Sequence, residues 1–273
     1  MINKKLDQIY LVAEIGWNFL GKLDLAKKMI KSAKKNGADA VKFQIWDPKY
    51  LRKGSWDVDG RREIYRKAFL DSKKYNSLKK FCKNIKIDCF ASAFTLRGAK
   101  LLLNAGDKII KIPSHEAYNK KLINYAIKNF SLIFLSVGAL NFNELKKIQK
   151  YRNIKKLIPM HCVSSYPLLK ENCNFFKFDY LKDYFRKVGY SGHYSGVEDA
   201  IHAISRGARV IEKHFSIDRR LPGRDNKFAI LPDQLKSIRN WINITKEFNL
   251  SRGLGLQKSE IDIYKNYRGR WGV

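Results

Sequence analysis

The sequence predicts a single-domain α/β fold, a (β/α)8 TIM barrel. Three observations carry the prediction: eight short apolar runs of strand length, longer Lys-rich amphipathic stretches between them, and a 273-residue chain with 45% hydrophobic content. Continuous apolar runs alternating with helices make a parallel sheet covered by helices. Eight of them in a chain of this length close into a barrel.

The runs fall at 9–14, 40–44, 88–92, 109–112, 132–136, 157–161, 188–191 and 209–214. After the first, Asp24 is placed to cap a helix carrying Leu25, Met29 and Ala33 at i, i+4 and i+8, and Gly37 to end it in the left-handed position. After the fifth, Asn141 and Glu144 form an N-x-x-E capping box, with Phe142, Leu145 and Ile148 on the buried stripe. A short helix at 197–206 stops at Gly207. The one long gap, between residues 44 and 88, holds WDPKYLRKGSW and helical stretches near 62–67 and 77–84. An insertion after a strand's C-terminal end shapes the mouth of a barrel. The expected boundaries are a barrel over 1–250 and a basic tail over 251–273.

Composition narrows the function classes. No stretch of 18 apolar residues occurs, so no membrane helix is expected, and the N-terminus lacks a signal-type apolar core, so the expected location is cytoplasmic. Cys82, Cys89, Cys162 and Cys173 show no C-x-x-C spacing, which argues against structural zinc or a disulfide framework. The formal charge of +30 is spread over the polar faces of many helices rather than gathered in a tract, so no nucleic-acid partner is expected. Such a field speeds the arrival of an anionic small molecule.

The C-terminal tips of the eight runs carry Glu14, Lys42 with Gln44, Ser92, Lys111 with Ser114 and Glu116, Ser136, His161 with Ser164, Ser191 with His193, and Glu212 with His214. In a barrel these tips converge on one mouth, where active sites are built. Strands also end where water begins, so polar tips alone mean little. Lys42 and Lys111 weigh more, because a buried ammonium is costly without a partner. Two lysines and several hydroxyls suit an anion with phosphate and carboxylate groups. His193 and His214, from neighbouring strands, can share one divalent metal, although a hydrogen-bonded core histidine is the ordinary reading of either alone. His161 reads as packed or hydrogen-bonded, and His115 and His202 as structural or exposed. Glu14, Glu116 and Asp225 are the acid/base or hydroxyl-orienting candidates.

These residues sit in stretches that resemble the sialic acid synthase (N-acetylneuraminate synthase) family: AEIGWN, NGADAVKFQ, KIPSHE, LSVGA, HCVSSYP, GYSGH, IEKHFSID and LPGRDN, in that order, over roughly residues 8–230. HCVSSYP, GYSGH and EKHF together carry most of the specificity. The resemblance implies a transferase of carbohydrate biosynthesis, which condenses phosphoenolpyruvate with N-acetylmannosamine or a related amino-sugar aldehyde. The product is a sialic acid (nonulosonate), and phosphate is released. In that reaction C3 of the enol attacks the open-chain aldehyde, water adds at C2, and phosphate leaves by C–O cleavage. A divalent ion, Mn2+ or Mg2+, polarises the aldehyde oxygen.

The resemblance also implies roles. His193 and His214 match metal ligands. Lys42, Lys111, Ser114, Ser136 and Ser191 match phosphoenolpyruvate contacts. Ser92 stands where Thr is usual, and Ser164 where Asn or Ser is found. Glu14 and Asp225 match carboxylates near the aldehyde and its water, and Gln44, Glu116 and Tyr166 match the sugar side. Departures are Asn18-Phe19 in place of an N-H dipeptide, and ASAF in place of S-T-P-F. The resemblance covers the barrel alone, without the C-terminal antifreeze-like domain that typical members carry. The basic, aromatic end KNYRGRWGV, with Arg268–Trp271 within it, is expected partly to stand in as a lid. A homodimer is implied, with no membrane partner. The rival readings are a legionaminic- or pseudaminic-type acid synthase and a non-catalytic basic binding barrel.

Overall fold

The computed structural model describes residues 6–272. Residues 1–5, part of the N-terminus read for a signal peptide, and Val273, the end of the tail, lie outside the described residues. Eight strands, β1 (Tyr10–Gly16), β2 (Ala40–Ile45), β3 (Asp88–Ala93), β4 (Ile109–Ile112), β5 (Leu132–Ser136), β6 (Leu157–His161), β7 (Gly189–Gly192) and β8 (Val210–His214), close into a barrel in sequence order. Every neighbouring pair is parallel, and β8 returns to β1 through partners from Tyr10↔Val210 to Glu14↔His214. Each strand end lies within two residues of the run that predicts it.

The helices are α1 (Leu23–Lys35), α2 (Arg61–Lys67), α3 (Ser72–Asn84), α4 (Leu96–Asn104), α5 (Lys120–Asn129), α6 (Phe142–Ile148), α7 (Phe176–Tyr184), α8 (Glu198–Ser205), α9 (Arg224–Phe228) and α10 (Pro232–Phe248). Gly37 stops α1 at φ +90, as its position predicts. Asp24 does not cap that helix. Leu23 is already helical, so Asp24 falls in the first turn, where its charge complements the helix dipole and reaches Lys27 at 3.3 Å. Asn141 and Glu144 close their box at 3.0 Å each way. Phe142 is not on the buried stripe. In the first turn the chain is still leaving the barrel rim, and the ring lies exposed under Lys146 Nζ, 4.4 Å from its centroid.

The core has two parts. Between strands and helices lies the larger, including Leu11, Ala13 and Val41 from strands and Met29, Leu78, Leu102 and Ile238 from helices. Inside the barrel the alternate residues Tyr10, Val12, Ala40, Phe90, Ile109, Leu132, Phe134, Ile158, Met160 and Val210 fill the lower interior. Because side chains alternate along a strand, the next inward residue towards each C-terminal tip lies one layer up. That upper layer is polar: Glu14, Lys42, Ser92, Lys111, Ser136, Ser191 and Glu212, all buried.

A helix that follows a barrel strand runs back to the opposite face, so α10 delivers the chain there. Arg268 rests over Tyr264 and Arg270 over Tyr267, and none of Arg268–Trp271 lines the central cavity. The lid expected of these residues is therefore not formed. No helix among the described residues is long and apolar enough to cross a membrane.

Candidate active site

The polar layer floors a cavity of about 520 Å3 at the C-terminal mouth, within the size range of small-ligand sites. At its centre Glu212 holds three donors: Lys111 Nζ at 2.9 Å, Lys42 Nζ at 3.5 Å and Ser191 Oγ at 3.0 Å. Lys42 also donates to Ser92 Oγ at 2.7 Å and pairs with Glu14 at 2.9 Å. Gln44 Nε2 donates to Glu14 Oε1 at 2.6 Å. The β1–β2 register slips between Glu14 and Gly16, and Gly16 turns to φ +54 there. A Cβ at Gly16 would stand 3.1 Å from Gln44 Nε2 and 3.2 Å from Glu14 Oε1, so the bulge and its glycine make room for this pair.

The two central carboxylates are driven apart. Burial would raise Glu212, but Lys111 and Lys42 overrule it and hold the group down to about 2. Burial raises Glu14 to about 7, helped by the Glu212 charge and only partly opposed by Lys42. Lys42 divides itself between two carboxylates, whereas Glu212 has two ammonium groups, so Glu212 takes the charge and Glu14 is the protonatable member. Burial pulls Lys111 down, with Glu212 opposing. Burial also pulls at Lys42, but Glu14 and Glu212 lift it above its ordinary value.

The β7 and β8 tips bring His193 and His214 together with ring centroids 5.5 Å apart. His193 Nδ1 lies 2.7 Å from Val163 O, which assigns its proton to Nδ1 and leaves Nε2 without a protein partner. His214 Nδ1 is buried without a hydrogen bond, 3.5 Å from Asp225 Oδ2. Burial depresses both rings, His193 to about 4 and His214 well below its ordinary value, so both are neutral imidazoles near pH 7. Two neutral nitrogens, one on an orphaned buried atom, fit the donor chemistry of a divalent ion. Among the described residues no group of three or more His, Cys, Asp or Glu is arranged to hold a metal, so any further ligands would be oxygens of water or substrate.

The outer half of the cavity is aromatic and mixed in charge. Trp17 stacks on Tyr65 at 4.6 Å, and Trp46 meets Trp17, Tyr65 and Phe94 edge-on. The indole N–H of Trp17 donates to Asp225, whose carboxyl burial raises to about 6. Tyr166 lies over His193 at 4.2 Å. Asp225 sits on an excursion from β8 closed by the Phe215↔Ile230 bridge, and Asn226 ties it to Asn18 O at 3.2 Å.

Thus Glu14, Lys42, Gln44, Ser92, Lys111, Ser114, Glu116, Ser136, Tyr166, Ser191, His193, His214 and Asp225 all line one cavity. Ser164 does not. A tight turn, Ser165 N–H to Val163 O at 2.9 Å, follows β6 and leaves Ser164 exposed beside Gly138, outside the cavity lining, while Cys162, in phase with Ile158 and Met160, faces the cavity. Cys162 Sγ lies 2.8 Å from Ser114 Oγ. His161 points away, 2.9 Å from Cys173 O among Phe175, Phe178 and Tyr190, as a packed histidine should. His115, read as structural or exposed, is exposed, and it lines the cavity beside Phe94 at 5.0 Å. Sequence reading names Glu212 as a tip residue but assigns it no role. Its inward phase with His214 on β8 is the signal that would have found it.

A barrel whose mouth buries two ammonium groups among hydroxyls, with a protonatable carboxyl and paired imidazoles, defines an enzyme of small-molecule substrates. The chain belongs to the NeuB family, whose match covers residues 29–251. It is 33% identical to the N,N'-diacetyllegionaminic acid synthase of Campylobacter jejuni, over 94% of this chain and 81% of the relative. It is 34% identical to the N-acetylneuraminate-9-phosphate synthase of Drosophila melanogaster, over 86% and 67%. Among solved structures, a sialic acid synthetase from Leptospira borgpetersenii, in complex with citrate, superposes with a TM-score of 0.86 at 29% identity, over 96% of this chain and 93% of that one.

Proposed function

We propose that this enzyme condenses phosphoenolpyruvate with an N-acetylated amino-sugar aldehyde to give a nonulosonate and phosphate, with a divalent ion, Mn2+ or Mg2+, at His193 and His214. The observation that carries the reading is the buried pair Lys42 and Lys111, sharing Glu212 and ringed by Ser92, Ser136 and Ser191. These groups suit the phosphate and carboxylate of an enol ester, held near the barrel axis away from bulk water. Glu212 stays ionised and keeps both ammonium groups in place.

Glu14, with its carboxyl at about 7, is the proton donor to the aldehyde oxygen as the new bond forms between C3 of the enol and the aldehyde carbon. Asp225, on its Trp17 hydrogen bond, accepts the proton of the water that adds at C2, and the C2–O bond to phosphate then breaks. A bound divalent ion supplies Lewis-acid polarisation of the aldehyde. Gln44, Glu116, Tyr166 and the Trp17–Tyr65 stack line the sugar half. The relatives named as legionaminic, pseudaminic and N-acetylneuraminate-9-phosphate synthases support this reaction class.

The test is inorganic phosphate release from phosphoenolpyruvate across a panel of amino-sugar aldehydes, with Mn2+, Mg2+ or chelator. Release should require both substrates and the ion. His214→Ala should fold, lose turnover and lose calorimetric Mn2+ binding. Full activity in chelator, or no release with any acceptor, would refute the proposal.

A further inference from the structure

Two arginines in the outer half of the cavity form no ion pair among the described residues. Arg224 comes from the excursion after β8, and Arg52 from the insertion after β2; both line the cavity. The Arg224 guanidinium lies over the Tyr166 ring at 4.9 Å, and its Nε is buried without a hydrogen bond. Arg52 is held in place through its backbone. Its carbonyl accepts from Arg62 Nη2 at 3.0 Å, and Arg62 is itself clamped on Asp57 at 2.7 Å. Among the described residues neither Arg224 nor Arg52 forms an ion pair, while Arg61 on the same wall is already engaged.

The acids of that wall form no ion pair with either arginine, although the Arg224 charge bears on Asp225. Asp47 accepts from Lys49 N at 3.0 Å, Glu116 from Asn119 Nδ2 at 2.9 Å, and Asp225 from the Trp17 indole. Each is taken by an uncharged donor of its own neighbourhood. A half-buried guanidinium with a dry Nε is held at a desolvation cost that a bound anion removes. The anion of phosphoenolpyruvate already has Lys42, Lys111 and the serines at the floor. Arg224, with the exposed Arg52 on the same cavity wall, therefore faces a second negative group, nearer the rim.

We infer that the acceptor sugar carries an anionic substituent, phosphate or carboxylate, at the end remote from its aldehyde, and that Arg224 with Arg52 selects for it. The inference rests on the synthase reading and adds the charge of its second substrate.

The experiment measures kcat/KM at saturating phosphoenolpyruvate for three acceptors: N-acetylmannosamine, its 6-phosphate and its 6-carboxylate (the uronic acid). At least one charged acceptor should exceed the neutral sugar by roughly tenfold to a hundredfold, the worth of a charge-assisted hydrogen bond. Whichever charged acceptor leads identifies the substituent. Arg224→Met should collapse that ratio towards one through the acceptor KM, Arg224→Lys should keep part of it, and the phosphoenolpyruvate KM should change by less than about threefold. A wild-type enzyme that uses the neutral sugar as well as or better than both charged ones overturns this inference alone. So does an Arg224→Met variant that keeps the ratio, or one whose loss appears in phosphoenolpyruvate KM. No phosphate release with any acceptor overturns the synthase reading with it.

Discussion

Glu212→Gln is the substitution on which the electrostatics of the floor can be judged. Among the described residues Glu212 is the sole carboxylate within ion-pair distance of Lys111, at 2.9 Å, whereas Lys42 keeps Glu14 at 2.9 Å when Glu212 is neutralised. The variant therefore leaves one buried ammonium without a counter-charge. Breaking such a pair from one side costs about 3–5 kcal/mol. At about 2–4 °C per kcal/mol for a domain of this size, Tm should fall by roughly 6–20 °C at pH 7. Removing a negative charge from the floor should also make it a better anion site, so that added inorganic phosphate raises Tm more in the variant than in the wild type.

The double variant Lys111→Met/Glu212→Gln removes both charges together and should be more stable than Glu212→Gln alone, the non-additivity expected of a direct pair. Scanning fluorimetry with and without phosphate, and urea unfolding of the four proteins of the cycle, measure all of this. A Tm within about 2 °C of wild type, or a double variant that is simply the sum of its parts, would refute the assignment of Glu212 as the shared anchor.

Two further predictions probe the site and its surroundings. Gly138→Ala would put a Cβ 2.6 Å from Cys162 Sγ, 2.8 Å from Ser164 Oγ and 2.9 Å from Ser114 Oγ, displacing the Ser114 hydroxyl from its 3.2 Å contact with Gly138 N–H. Overpacking of this kind costs about 1–3 kcal/mol, and phosphoenolpyruvate KM should rise several-fold; an unchanged KM would show that Ser114 is not held by this contact. For pH, burial depresses His161 from an ordinary 6.5 to about 4. The unfolded chain takes up a proton below pH 6.5 that the folded chain refuses until pH 4. The contribution is thus complete above pH 6.5 and is lost as pH falls towards 4, by about 2–3 kcal/mol between pH 7.5 and 4.5. Urea unfolding of His161→Phe should show a correspondingly shallower acid loss than wild type, and an identical slope would exclude His161 as its source.

The barrel was legible because each of its elements announces itself locally. A strand buried on both faces reads as an apolar run wherever it lies, and Gly37, Gly207 and the Asn141–Glu144 box mark helix ends through backbone rules a few residues long. The polar tips were legible for the same reason: a charge such as Lys42 or Lys111 at the end of an apolar run stands out in one dimension. Local reading failed where a residue's fate depends on what lies around it. Phe142 has the right spacing for the core but meets only the rim. Ser164 has the right motif but stands exposed beside Gly138, outside the cavity lining, and the inward place falls to Cys162.

By itself, then, the sequence determined the fold class, the strand limits and the inventory of chemical groups at the mouth, because these follow from side-chain periodicity over short spans. Tertiary structure alone decided who pairs with whom. Lys111 and Glu212 are 101 residues apart, and Trp17 and Asp225 are 208 apart. Only closure of β8 on β1 makes Glu14 and His214 neighbours. Which carboxyl stays charged, which histidine orphans a nitrogen and which arginines are left facing the cavity depend on distances between side chains in a low-dielectric space. Those distances are set by the register of eight strands at once, and no single stretch of chain encodes them.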